Sequence, residues 1–173
     1  NGNLYISDVL NLKGALYFSA YNEGLGYKIN SDTFHKGGGF IIMTDTLGNY
    51  QKRFEFHNKN QIEVNGIVTD GTYLFIGGQF KDTLNWGNKI FISEYKIPNY
   101  STYSTEMFAA SVTTALESRW FFRPKIIDKT KPSGITTSIC ASDNFIYFRA
   151  WLTSKIQIDS IVLTPSSSSV LGD

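Results

Sequence analysis

Few residues in this chain are suited to covalent or acid–base chemistry. There are two histidines, His35 and His57, and one cysteine, Cys140. Nucleophilic catalysis needs a base beside the nucleophile, and no local spacing supplies that pair. His35 lies in "TFHKGGG", which reads as an exposed connection; His57 closes a strand in "FEFHNKN". Both read as surface histidines with no catalytic part. Cys140, in "SICAS", lacks the electropositive neighbours that activate a thiol and is expected to be a small buried hydrophobe. A single cysteine also excludes an intrachain disulfide. Glycoside hydrolysis needs two facing carboxylates, but Asp70 and Asp143 sit in turn sequences that already explain them. Metal chemistry is not expected either: no His/Cys spacing suits zinc and no calcium loop is present. The glycine-rich "HKGGGF" (35–40) lacks the GK[ST] of a phosphate loop, and no cofactor is expected. The remaining chemistry is that of aromatic platforms, which can stack on sugars. Tyr21, Trp86, Trp120 and Trp151 are the residues to weigh. Trp86 reads as core; Tyr21 and Trp151 share a position that fits a packed seam between sheets as well as a ligand contact, and with Trp120 they remain as ligand-binding candidates.

The elements that must position these side chains are strands. The chain has 173 residues, with 15% aromatics, 15 glycines and 18% charged residues. Tyr, Phe, Ile and Thr suit a pleated, half-buried surface, and an Ala- and Leu-rich helical composition is missing. The expected class is all-β. A net charge of +1 gives no basic footprint for nucleic acid; "KIIDKTKP" (125–132) reads as a solvated loop. No apolar run approaches the ~20 residues of a membrane helix. The chain opens on Asn1 without an initiator Met or a signal peptide, and the expectation is a piece of a longer protein.

One pattern occurs three times. "KGALYFSAY" (13–21), "GTYLFIGGQ" (71–79) and "DNFIYFRAW" (143–151) align on Tyr17, Phe75 and Tyr147. Leu16, Leu74 and Ile146 precede these aromatics; Ala20, Gly78 and Ala150 stand three residues after. Val9, Ile67 and Ile139 stand eight before, and Leu10, Val68 and Cys140 seven before. The unit is strand, tight turn, strand, with Asp-Gly or Asp-Asn at two of the turns. The copies are offset by 58 (75 − 17) and 72 (147 − 75) residues. Further on, Phe80, Leu84 and Trp86 match Leu152, Ile156 and Ile158. A shift of 50 matches 39–56 to 89–108, giving about four strands per unit. The extra 14 residues (72 − 58) of the second copy are expected in an insertion at about 111–127, where "ASVTTALESRW" allows a short helix and the adjacent Trp120, Phe121 and Phe122 equally allow an extended segment packed on two sides. A period of this length with four antiparallel strands is that of a propeller blade. The expected division is a first blade-like repeat at 1–60, a second at 61–134 and a partial third at 135–173, an array of under three blades.

The second copy is similar to a known repeat. "VTDGTYLFIGGQFKDTLNWGNKIFISEYKI" (68–97) resembles the β-propeller (SBBP-like) repeats of secreted and surface proteins of Bacteroidetes. Asp70 and Gly71 match their turn, Gly78 their glycine, "LNWGN" (84–88) their "adFGn" and "IFISEY" (90–95) their "iFvaKy". "DTLGNYQKRF" (45–54) matches their closing "d.nGnxxWa". Lys13 replaces the turn aspartate in copy one, and Arg149 stands in copy three where Thr or Gly is usual. The resemblance implies export, often by type IX secretion, and an extracellular or outer-membrane-associated cell-surface place.

The function read from this is a non-catalytic extracellular or cell-surface module for binding or scaffolding. A protein or glycan partner is expected, and the missing blades would come from the rest of a precursor or from another chain. The alternatives are a polysaccharide-acting enzyme with its site on the propeller face, and a structural subunit of an outer-membrane assembly. Paired carboxylates in a cleft would favour the first, and large apolar contacts between chains the second.

Overall fold

The structure, a computed structural model, describes residues 3–23, 26–58, 61–93, 105–128, 134–142 and 145–165. Every regular element among them is a strand, and every pairing is antiparallel. The protein is all-β, and among the described residues no sheet closes into a barrel. Asp143, expected at a turn, and the segments 96–99 and 166–173 lie outside the described residues.

The first sheet begins as a four-stranded meander. β1 (Asn3–Leu12) pairs with β2 (Ala15–Glu23). A small hairpin follows, β3 (Tyr27–Ile29) and β4 (Asp32–Phe34). The chain then returns as β5 (Gly39–Asp45) against β2, and as β6 (Tyr50–Asn58) against β5. The plan recurs. β7 (Gln61–Thr69) and β8 (Tyr73–Lys81) pair, then comes a hairpin, β9 (Thr83–Trp86) and β10 (Lys89–Ile92). β11 (Glu106–Thr113) pairs with β8, and β12 (Ser118–Phe122) with β11. After the two-residue β13 (Lys125–Ile126) comes a third pair, β14 (Gly134–Ser142) with β15 (Phe145–Leu152). Another hairpin ends the described strands, β16 (Ile156–Ile158) and β17 (Ile161–Leu163).

The register confirms the echo in the sequence. Tyr17, Phe75 and Tyr147 face Leu10, Val68 and Cys140 across their ladders. Each first strand also carries a bulge at the same place. The ladder slips between Ile6 and Asp8, Val64 and Gly66, and Thr136 and Ser138, leaving Ser7, Asn65 and Thr137 without a partner. These lie 58 (65 − 7) and 72 (137 − 65) residues apart. A bulge is a designed feature that bends a strand and re-aims its side chains. Here the re-aimed side chains tie neighbouring sheets. Asp8 accepts the Ile67 N–H at 3.2 Å, and Asn65 donates to the Thr136 carbonyl at 2.6 Å.

Two expectations about the later strands are corrected. The shift of 50 is wrong. β5 and β11 both pair with the second strand of their unit, Met43 opposite Tyr17 and Ser111 opposite Phe75, so their offset is 68 (111 − 43). The run at 89–92 is instead the second arm of a hairpin. Consequently the second copy holds its extra residues elsewhere. Ten (68 − 58) fall between Lys81 and Glu106, and four (72 − 68) after Ile126. Residues 111–127 are no insertion; they carry the end of β11 together with β12 and β13. Alternating apolar residues in both runs matched equally well, because period-2 patterns align at any even shift.

The main core lies between the first two sheets. Tyr17, Ile41, Phe56, Ile62, Ile67, Leu74, Trp86 and Phe108 are among its buried side chains. Phe54, Phe56, Trp86, Phe108 and Phe121 form a chain of rings with neighbouring centroids 5.1–5.6 Å apart, an aromatic arrangement that adds to simple burial. A smaller core of Phe34, Phe40, Ala20 and Ile42 covers the opposite face of the first sheet, beneath β3 and β4. At Gly78 the space admits no side chain at all: a Cβ there would stand 2.4 Å from the Glu63 carbonyl oxygen and 2.6 Å from the Phe108 ring.

Cys140 corrects a third expectation, because it is exposed. Position by position, Val9, Ile67 and Ile139 face the preceding sheet, while Leu10, Val68 and Cys140 face the following one. Ile67 and Ile139 are buried by the sheet before them, and Val9, with none described before it, is 54% exposed. Cys140 and Tyr147, 52% exposed, have no described sheet after them. Strand position sets the direction of a side chain; the neighbour decides whether it is covered.

Candidate functional site

The three aromatic candidates are not brought together. Tyr21 lies near the end of β2, stacked on Tyr5 with ring centroids 5.0 Å apart. Its phenol is pushed above its ordinary range, by burial first and then by the Glu63, Glu23 and Tyr5 side chains. Trp151 occupies the equivalent position in β15 and is half exposed. Trp120 lies in β12 beside Phe75, 6.1 Å between ring centroids, on the face turned toward the third repeat. Trp86 is buried in the core. The candidates therefore sit on separate strands along the array, rather than around one cleft.

The structure does assemble a set of side chains that local spacing could not reveal. His35 follows β4, while Glu55 and His57 alternate along β6 and share a face. His35 Nδ1 and Glu55 Oε1 are 2.6 Å apart, and His57 Nδ1 is 3.8 Å from the same oxygen. One ligand atom from each of the three lies within 4.8 Å of the others. The two imidazoles are 61% and 59% exposed and stand 5.9 Å apart, whereas the carboxylate is only 6% exposed.

Each member is held from behind. Arg53 Nη2 donates to Glu55 Oε2 at 3.2 Å, leaving Oε1 for the histidines. Arg53 is itself matched by Asp32 Oδ2 at 3.3 Å and lies over the Phe34 ring, 4.7 Å from its centroid. Tyr50 donates to the same Asp32, and burial followed by that carboxylate raises the phenol's pKa. The His35 backbone is pinned where its carbonyl accepts from Asn22 Nδ2 at 3.1 Å and from the Gly38 N–H at 3.3 Å. His57 is fixed by the ladder: it pairs with Asn85 of β9, so the hairpin of the second repeat steadies this corner of the first. Two carboxylates and one guanidinium leave the corner with one net negative charge when both imidazoles are neutral.

Local spacing hides this set, because its members are far apart along the chain. His35 and His57 are 22 residues apart (57 − 35) and meet only because β5 returns between them. The alternation Glu55-Phe56-His57, with Phe56 buried on the other face, was the one local signal.

Comparison with known protein families, with curated proteins and with solved structures finds no match. No helix among the described residues is long and apolar enough to cross a membrane.

Proposed function

We propose that the chain is a non-catalytic binding or scaffold module, built as a propeller-type array and working at the cell surface or outside the cell. The observation that carries the reading is the joint between repeats. β9 leaves its own meander and pairs with β6, His57 opposite Asn85 and Asn58 opposite Leu84. β16 does the same to β13, Lys125 opposite Gln157 and Ile126 opposite Ile156. Each hairpin thus docks on the last strand of the repeat before it. The equivalent hairpin of the first repeat, β3 with β4, pairs with no other described strand.

Both ends of the array expose what the internal joints bury. Ile6 and Val9 are open at one end; Phe145, Tyr147 and Trp151 are open at the other. The partner that fits such faces is a further repeat of the same kind, continuing the hairpin-to-strand joint. Scattered exposed aromatics, rather than a cleft with paired acids, support binding over catalysis. Trp120 and Trp151 are the places where a protein or glycan partner would make contact.

The test is solution behaviour. The 173-residue chain should self-associate or bind a hydrophobic dye. Tyr147→Glu with Trp151→Glu should reduce both while leaving the far-ultraviolet spectrum unchanged. A monodisperse monomer that binds no dye and melts cooperatively at high temperature would oppose the reading.

A further inference from the structure

We infer that His35, Glu55 and His57 form a site for a borderline divalent transition metal, Zn²⁺ in the first place. Two imidazoles with one carboxylate form a donor set that zinc takes, at about 2.0–2.2 Å per ligand, leaving a fourth position for water. The donors are not a chance surface cluster. Glu55 is the buried anchor, with Oε2 held by Arg53 and Oε1 aimed at both rings. Outer contacts of this kind orient a ligand and tune its affinity. The corner's net negative charge favours a cation, because Asp32 already balances Arg53.

The metal-free geometry is closed by a single contact. His35 Nδ1 sits 2.6 Å from Glu55 Oε1, a contact that forms when the imidazole proton is on Nδ1. A neutral imidazole carries that proton on either nitrogen, and moving it to Nε2 frees Nδ1 as a ligand. The two exposed rings then need to turn only enough to draw donors now within 4.8 Å around one centre. Both histidines sit on pinned backbone, so the adjustment falls to their side chains.

The position of the site gives the ion a structural consequence. It ties the β4–β5 connection to the end of β6, and the end of β6 is where β9 docks. The bound ion therefore braces the joint between the first and second repeats. The second repeat carries Arg123 and Lys125 at the places of Glu55 and His57, by the offset of 68 established for β5 and β11. That corner cannot bind a cation, and it serves as the internal control.

The experiment uses the full chain, dialysed against chelator. Zn²⁺ is titrated by calorimetry, and Co²⁺ by visible absorption. The expected result is one ion per chain, Co²⁺ bands of four- or five-coordinate intensity, and a higher melting temperature with Zn²⁺. His57→Ala and His35→Ala should each weaken binding by at least about tenfold, and Lys125→Ala should leave it unchanged. Glu55→Gln, which keeps the side chain's shape, should remove the Co²⁺ bands while the far-ultraviolet spectrum stays intact. Absence of binding by the unaltered chain, or binding that survives the His35→Ala/His57→Ala double variant, overturns the assignment. Neither result bears on the proposed binding or scaffold role, which is read by association state.

Discussion

The same corner is built with opposite chemistry in the first two repeats. In the second, Arg123 reaches back from just beyond β12 to Glu106 at 2.8 Å and to the Ile92 carbonyl at 2.8 Å, and Ser93 donates to Glu106 at 2.9 Å. The carboxylate is 2% exposed, and the arrangement is a closed structural pair. In the first repeat the position of Arg123 belongs to Glu55, a carboxylate facing two exposed imidazoles. One corner has spent its polar groups on itself, and the other has donors left over. A repeated backbone thus keeps its shape while single substitutions decide whether a corner is a brace or a site.

That contrast breaks most visibly in the second repeat. Arg123→Ala takes the guanidinium away from the buried Glu106 carboxylate and should cost about 3 kcal/mol, read as a lower urea midpoint. Glu55→Gln in the first repeat should cost only about 1 kcal/mol, because Arg53 keeps Asp32. Equal losses would show that the two corners do the same work.

A smaller contrast lies in the turns joining the third and fourth strands. Gly48 and Leu116 are equivalent and both left-handed, with φ of 84° and 59°. The first is free of neighbours, so Gly48→Ala should cost about 1 kcal/mol from backbone strain alone. Leu116 is strained but buried in the main core, held above the turn by the Leu116 N–H to Thr113 carbonyl bond. Leu116→Gly relieves the strain yet loses the packing, and should still destabilise by about 2 kcal/mol. A stabilised Leu116→Gly variant would mean that the strain outweighs the burial.

The smallest contrast concerns pH. The first repeat turns through Lys13-Gly14, the second through Asp70-Gly71. Asp70 Oδ1 accepts the N–H groups of Thr72 and Tyr73, each at 2.8 Å, and chiefly the Tyr73 bond lowers its pKa. A carboxylate lowered in the folded state contributes stability that is present above its unfolded pKa and lost as pH falls through the folded one. Asp70→Asn should therefore cost a little stability at neutral pH, and the difference from the unaltered chain should vanish as pH falls below about 4. Lys13→Ala should leave the acid limb as it is.

Much of this was legible in the chain. The three hairpins, their register and the aromatic positions follow from period-2 patterning around turn residues, since strand geometry forces alternate side chains to opposite faces. Trp86 was placed in the core by its equivalence to Ile158 and is buried there. Tertiary structure decided the rest. The hairpin of each later repeat pairs with the strand before it, a non-local choice that no local pattern encodes. Cys140 is exposed because coverage depends on a neighbouring sheet, not on the residue. The His35–Glu55–His57 set exists only because β5 folds back between its parts, bringing together donors that are distant along the chain but adjacent across it.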